Sequence, residues 1–281
     1  MLYAAAALCV KTALGRGFTT REVLFYSNSV VGLFFLPFAA FGHATWEPAQ
    51  LGWAVGAGLV FFLGQIGTFR SLQSGDISIA TPALAAKVVF VALLSLLVPG
   101  GEPDGGLWLA VLLTMVGVLL LHHGPRHTAS RPLTTLAWAL MAALSFAATD
   151  ILVQVGAPQA GFTLFMPVMF ATVALVSLPL LALQGRDARP IRRAPGAARW
   201  AGAGALLLGL QAIGMGVAIG LFGDATGANI VYSSRGLWSL LLLALVARRL
   251  GITDAIFEPG TLWARATGTL LVLAAVILVL F

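Results

Sequence analysis

Long apolar stretches recur along the whole 281-residue chain, and they constrain the fold more than any other feature of the sequence. A helix needs about 20 mainly apolar residues to cross the hydrocarbon core of a bilayer. The stretches predict an all-α integral membrane protein with ten transmembrane helices. The predicted helices cover residues 1–14, 22–42, 51–72, 77–98, 105–122, 134–156, 161–183, 200–222, 225–247 and 261–281.

Composition agrees with a membrane protein and excludes other classes. Only 9% of the residues are charged, whereas soluble domains carry about 25%. The net charge of +6 does not indicate a nucleic-acid partner, because the basic residues lie in loops between apolar stretches. Cys9 is the single cysteine, so neither a disulfide within the chain nor a metal site made of several cysteines is possible.

The first predicted helix is too short for the bilayer core. Its 14 residues reach roughly 21 Å, against a core of about 30 Å. We expect either that the native chain begins upstream, with about eight further apolar residues, or that this helix is stunted.

An internal repeat relates two of the predicted helices. GDISIATPALAAKVVFVALL, from Gly75, aligns with GDATGANIVYSSRGLWSLLL, from Gly223, and the alignment places Lys87 opposite Arg235. Each copy opens with Gly-Asp, which predicts a turn followed by a helix N-cap. The repeat divides the chain into a first five-helix repeat at 1–122, a linker at 123–133 and a second five-helix repeat at 134–281.

The odd number of helices in each repeat fixes the relative orientation of the two copies. A copy that follows five crossings runs in the opposite direction, so the repeats are inverted. Proteins built in this way carry their binding site near the bilayer midplane, at the repeat interface. Lys87 and Arg235 lie about eleven residues into equivalent helices, at that depth, and we expect them on opposite walls of one central cavity.

The loops differ sharply in charge. Every Lys and Arg except Lys87 and Arg235 lies in or beside the loops that join helices 1–2, 3–4, 5–6, 7–8 and 9–10. The positive-inside rule therefore predicts that these loops are cytoplasmic and that both termini are outside.

Candidate binding residues are the polar side chains inside the predicted helices. Ionisable residues at that depth are costly and mark substrate or ion pathways. Arg235 shares a helical face with Tyr232, with Asn229 at the edge of that face. Asp150 is the one carboxylate well inside a predicted helix. It is a candidate counter-ion or proton carrier, and a purely structural salt bridge from Asp150 to Arg235 or to Lys87 is the alternative.

Three further residues are weaker candidates for binding a substrate. Gln65 and Gln211 lie in corresponding helices, where a side-chain amide either binds substrate or bonds a neighbouring helix. Trp238 either stacks on a substrate ring or faces lipid. The histidines of the linker, His122, His123 and His127, have no acidic or cysteine ligand nearby, so neither a metal nor another cofactor is expected.

The sequence resembles the drug/metabolite transporter superfamily, in its ten-helix EamA-like branch. The resemblance covers essentially the whole chain and rests on FRSLQSGDISIATPALAAKVVFVALLSLLVPGGE (69–102) and on the matching stretch of the second half. The second half departs from the pattern at Arg248 and Arg249, where an acidic residue is expected.

The resemblance implies two inverted five-helix repeats, a central cavity, transport of small organic metabolites and cytoplasmic termini. The last of these is opposite to the prediction from the loop charges. Phosphate-translocating relatives in plastids bind their anion through basic residues on the fourth and ninth helices, and Arg235 resembles the ninth-helix residue more closely than Lys87 resembles the fourth.

These features together predict a secondary transporter of the bacterial inner membrane that works by alternating access. Lys87, Arg235 and Asp150 leave a net intramembrane charge of +1, which favours a small anionic or zwitterionic substrate. The expected partners are this substrate, the lipid bilayer and a coupling proton, with the chain a monomer or a homodimer. The alternatives are a broad-specificity amino-acid or drug exporter, an intramembrane lipid-modifying enzyme and a non-transporting subunit.

Overall fold

The computed structural model describes residues 1–41, 47–74, 80, 83–98, 103–121, 132–182, 194–238, 241–242 and 259–281, and in these residues it is helical with no strand. Much of the linker and of the arginine-rich loop at 184–199 lies outside the described residues. The helices are α1 (Leu2–Gly15), α2 (Thr20–Phe35), α3 (Pro48–Ser74), α4 (Lys87–Ser95), α5 (Gly105–Leu121), α6 (Pro132–Ala160), α7 (Phe162–Ala182), α8 (Ala197–Gly220), α9 (Ala225–Ser233) and α10 (Pro259–Leu280).

The helix positions follow the predicted apolar stretches closely. Six of the described helices are long and apolar enough to cross a membrane. They are Thr20–Phe41, Pro48–Ser71, Leu133–Ala160, Phe162–Pro179, Ala197–Gly220 and Trp263–Leu280, and shorter apolar helices cover Leu2–Gly15, Ala83–Ser95 and Gly105–Leu121. The chain is therefore a multi-helix membrane protein, and the number of crossings stays a prediction.

Helix α2 shows how local sequence sets a helix boundary. Thr19 accepts a hydrogen bond from the backbone N–H of Glu22, and the Glu22 carboxylate accepts one from the N–H of Thr19. This reciprocal capping box satisfies two backbone donors that the first turn would otherwise leave unpaired. At its other end α2 tightens into a 3-10 helix over Leu36–Phe41, so the stretch predicted as one α-helix has two geometries.

The chain forms two compact units. The first unit comprises Met1–Phe62 and Leu152–Gly223. Within it α1 packs on α8, and α2 packs on both α7 and α8. Its core is aromatic: the ring of Phe35 is fully buried and stacks on Phe170, with a centroid distance of 4.6 Å and an interplanar angle of 13°. Burial of large aromatic side chains is a major source of packing energy.

The second unit comprises Leu63–Ile151 and Asp224–Phe281. Its tightest pair is α5 and α10, which cross at two glycines. A Cβ atom on Gly117 would lie 2.9 Å from the Gly268 carbonyl oxygen, so only glycine permits this approach. Helix α9 packs against α4, α5 and α10, and Ile230 of α9 is fully buried in their shared core. Each compact unit takes segments from both predicted repeats, and the division into repeats stays a prediction.

Hydrogen bonds between loops agree with the alternation of loop charge. In the first unit, Ala194 in the arginine-rich loop donates its N–H to the carbonyl of Arg16, and the Arg16 side chain donates to the carbonyl of Pro195. The loops joining helices 1–2 and 7–8 therefore meet at one end of this unit. Gln50, at the start of α3, donates to the carbonyl of Gln159 near the end of α6.

Candidate functional site

Helix α9 begins with the turn and cap that the Gly-Asp pattern predicts. Gly223 has φ +70°, a left-handed conformation that side chains disfavour, and Asp224 follows as the N-cap. The Asp224 carboxylate accepts a hydrogen bond of 2.7 Å from the Gly227 N–H. The equivalent pair in the first half, Gly75 and Asp76, lies outside the described residues.

Three of the predicted site residues meet at the carboxylate of Asp150. Lys87 of α4 places its Nζ atom 2.7 Å from Asp150 Oδ2, and Asn229 of α9 donates its Nδ2–H to the same oxygen at 2.6 Å. The lysine side chain is 16% exposed and the aspartate 13%, so the ion pair is largely removed from solvent. The pairing of Asp150 with Lys87, one of the two that the sequence left open, is present in the described structure.

Asn229 is positioned by the helix that carries it. Its Nδ2 atom also donates to the Ala225 carbonyl one turn earlier, at 2.8 Å, and the residue is only 1% exposed. The second hydrogen bond fixes the rotamer of the amide and points it at Asp150. The amide oxygen, Oδ1, accepts no hydrogen bond from any described residue.

The ring of Tyr232 lies beside both intramembrane cations. The Arg235 guanidinium carbon is 4.3 Å from the ring centroid, and the Lys87 Nζ atom is 6.0 Å from it, at the outer limit for a cation–π contact. The two cations predicted to face one cavity therefore share one aromatic neighbour. An aromatic face stabilises a cation in a region where water is scarce.

Phe146 completes the surroundings of Lys87, and the sequence analysis did not identify it. Its ring centroid lies 5.9 Å from Lys87 Nζ. A Cβ atom on Gly64 of α3 would lie 2.9 Å from this ring, so glycine at 64 makes room for it. The spacing of Phe146 four residues before Asp150, on one face of α6, was the signal available in the sequence.

Both cations follow immediately after an interruption in their helices. Ala86 has φ −57° and ψ −12°, and Ser234 has φ −59° and ψ −14°. In each case the N–H bonds to the carbonyl three residues back, Ala86 to Ala83 and Ser234 to Val231, both at 3.1 Å. The prediction of an unbroken α-helix over 225–247 is wrong at Ser234, where the helix tightens by one 3-10 turn. The two interruptions lie at aligned positions of the sequence repeat.

The remaining predicted site residues are more scattered. Gln65 lies half-buried on α3 in the second unit, next to Gly64, and Trp238 is 37% exposed in the turn after the interruption. Gln211 lies half-buried on α8, in the first unit. Their roles in binding stay predictions.

Among the described residues no group of three or more His, Cys, Asp or Glu side chains is placed to hold a metal ion. His122, His123 and His127 of the linker lie outside those residues.

Among known protein families, one profile matches the first part of the chain. Residues 1–122 match the sequence profile of the EamA-like transporter family. Over these residues the resemblance to the drug/metabolite transporter superfamily is confirmed. The EamA-like match covers the residues predicted as the first repeat. No curated protein gives a significant match to the chain.

A solved structure has a similar fold over nearly the full length of this chain. A structure described as "Crystal structure of protein" is similar with a TM-score of 0.72 and 16% sequence identity. The similarity covers 99% of this chain and 92% of that one. At this identity the likeness concerns the fold alone. The chain is a membrane protein with an EamA-like transporter match over residues 1–122.

Proposed function

We propose that the protein is a secondary transporter that moves a small anionic or zwitterionic organic metabolite across the bacterial inner membrane by alternating access. The EamA-like match supports the transporter class. The single observation that carries the choice of substrate is the grouping of Lys87, Arg235 and Asp150 around Tyr232 and Asn229. Such ionisable groups in a membrane are expensive and accompany substrate or ion pathways.

The charge of the group favours an anionic moiety on the substrate. Two cations and one carboxylate sum to +1, and a substrate carboxylate or phosphate would compensate this charge. Arginine offers a planar fork that meets such a group through two hydrogen bonds, and it keeps its charge in low dielectric. Arg235 is therefore assigned as the main anion-binding residue, with Lys87 as a second point charge.

The interrupted helices support a site at this depth. Midplane sites in transporters with inverted repeats are typically formed by discontinuous helices, whose freed backbone groups and side chains face the substrate. The turns at Ala86 and Ser234 precede Lys87 and Arg235 by one residue each. In the proposed mechanism these turns allow the two cation-bearing segments to change direction when the site closes around its substrate.

A transport screen tests the proposed function. Purified protein in proteoliposomes would be assayed for uptake of labelled carboxylates, phosphate esters, amino acids and cationic drugs, beside protein-free vesicles. We expect uptake of a carboxylate-bearing or phosphate-bearing compound that saturates with concentration. Uptake restricted to cationic drugs would contradict the anion-binding assignment and favour a drug exporter.

Orientation in the membrane is proposed from the loop charges, with the arginine-rich loops cytoplasmic. Two exposed alanines report on the two sides: Ala49 at the start of α3 and Ala194 before α8. In a Cys9→Ala background, Ala49→Cys should react with an impermeant thiol reagent in whole cells, and Ala194→Cys should react only after lysis. The reverse labelling pattern would establish cytoplasmic termini, as the family resemblance implies.

A further inference from the structure

Asp150 occupies the place at Lys87 that a substrate anion would take. A carboxylate oxygen of the protein lies 2.7 Å from Lys87 Nζ, the distance at which a bound anion would be held. As long as Asp150 is ionised and bonded to Lys87, the lysine is compensated internally. A second anion can reach Lys87 only if the negative charge of Asp150 is removed or displaced.

We propose that Asp150 is a proton-binding site and that its protonation couples proton movement to transport of the substrate anion. The proposal rests on the proposed function and adds the coupling ion to it. When Asp150 takes up a proton, the Lys87–Asp150 ion pair is lost and Lys87 becomes available to the substrate. One proton and one anionic group are then carried together, in the same direction.

The charge balance of this exchange is favourable. Before loading, Lys87 and Arg235 are positive and Asp150 is negative, which gives +1. After loading, the two cations, a neutral carboxylic acid and a singly charged substrate anion again give +1. The O–H bond on Asp150 is the one covalent bond that forms. Lys87 replaces its hydrogen bond to Asp150 by a hydrogen bond to the substrate. Because the net buried charge is unchanged, the loaded site meets no extra cost of burying charge.

Asn229 supplies an independent observation in favour of a protonated state. Its buried Oδ1 atom accepts no hydrogen bond from the described residues while its Nδ2 atom donates to the Asp150 carboxylate. A protonated carboxylic acid carries an O–H donor as well as an acceptor oxygen. It can therefore form a two-point pair with the amide, with N–H donating in one direction and O–H in the other. Protonation would thus satisfy an acceptor that otherwise carries a desolvation penalty.

Among the described residues of the second unit, Asp150 is the carboxylate that lies at this site. Helix α4 contributes Lys87, α9 contributes Tyr232, and Arg235 follows just after the end of α9. On α3, which packs against α6 at Gly64, Gln65 is neutral and Arg70 is exposed. The two other described acidic side chains of the second unit cap helices, Asp104 by accepting from the Leu107 N–H and Asp224 by accepting from the Gly227 N–H. Arg265 lies on α10.

Transport driven by a pH gradient tests the coupling. Proteoliposomes with a clamped membrane potential would be assayed for uptake of lactate, glutamate and the fastest carboxylate of the transport screen, with and without an acidic exterior. We expect the acidic exterior to raise the initial rate at least tenfold. In Asp150→Asn, the uptake that remains should show no response to the gradient. Asp104→Asn makes the same chemical change at an exposed carboxylate and should retain the response.

Three results would overturn the coupling and can be told apart. Carboxylate uptake that does not respond to the pH gradient would disprove proton coupling and leave the proposed function intact. A second result is that Asp150→Asn loses uptake only of the probes that carry an amine, while uptake by the unchanged protein does not respond to the gradient. This result would show that Asp150 binds an ammonium group of the substrate. If the protein takes up neither anionic nor zwitterionic probes, both the proposed function and the proton coupling are disproved.

Infrared difference spectroscopy keeps the proposal testable if Asp150→Asn does not fold. In the full chain in lipid nanodiscs, lactate or glutamate should increase the carbonyl band of a protonated carboxylic acid at constant pH. Asp104→Asn should leave that increase unchanged. Binding of the anion without any increase in the band would contradict proton uptake at Asp150.

Discussion

Replacing Arg235 by alanine is expected to abolish substrate binding while the protein still inserts and folds. The guanidinium is the fork that pairs with the substrate anion, and truncating one partner of a buried charge pair costs about 2–5 kcal/mol. This loss corresponds to a fall in affinity of roughly 30-fold to several thousand-fold. Folding should survive because the carboxylate of Asp150 remains compensated by Lys87 at 2.7 Å. Binding of the best anionic compound from the transport screen, measured by calorimetry on detergent-solubilised protein, gives the affinity.

The conservative variant Arg235→Lys distinguishes the fork from the charge alone. It should recover only part of the affinity, because an ammonium group restores a point charge but not two parallel hydrogen bonds. Arg70→Ala removes an exposed arginine of α3 and serves as the control that should bind normally. Normal binding by a folded Arg235→Ala protein would disprove the anion assignment. Unfolding of that variant, with rescue by a second change Asp150→Ala, would assign Arg235 to a structural pair instead.

Breaking the Lys87–Asp150 pair from one side is expected to destabilise the protein strongly. Removing one partner of a buried ion pair typically costs about 3–5 kcal/mol, because the other charge stays buried without compensation. Asp150→Leu should cost more than Lys87→Met. In Lys87→Met the carboxylate keeps the Asn229 hydrogen bond, whereas in Asp150→Leu the lysine is left near a second cation at Tyr232. Thermal unfolding of the purified variants in one detergent gives the order of stability.

The double variant separates the contribution of the ion pair to stability from the contributions of the two single residues. Lys87→Met with Asp150→Leu replaces the ion pair by apolar side chains of similar size, and such a swap is often neutral or stabilising. We therefore expect the double variant to unfold close to the wild-type temperature. The control is Lys11→Met, at an exposed lysine of α1, which should change little. Additive losses in the double variant would show that the two side chains act on stability independently.

Much of the fold could be read from local sequence, because lipid imposes a simple rule. Backbone polar groups in a bilayer must be satisfied within the segment, so an apolar stretch of sufficient length becomes a helix. This explains why the predicted stretch at 105–122 and the helix Gly105–Leu121 coincide almost to the residue. The cap at Asp224 was also predictable, because it depends only on residues within one turn.

The candidate site was predictable in its members but not in its pairing. Lys87, Arg235 and Asp150 stand out because charged residues are rare inside apolar stretches. Whether Asp150 binds Lys87 or Arg235 depends on the relative rotation and depth of three helices, and periodicity gives neither. Phe146 escaped notice for the same reason. An aromatic residue in an apolar helix acquires a role only when Gly64 of another helix lets its ring lie beside Lys87.

The sequence by itself determined that this chain is a bundle of apolar helices with two related cation-bearing helices, because hydrophobic length and residue identity act locally. The tertiary structure decided which groups meet. It brought Lys87 and Asn229 to the same oxygen of Asp150, and it brought Lys87 to the ring of Tyr232, which lies only three residues before Arg235 in the chain. These outcomes depend on contacts between segments distant in the chain, where packing geometry and compensation of buried charge decide the pairing.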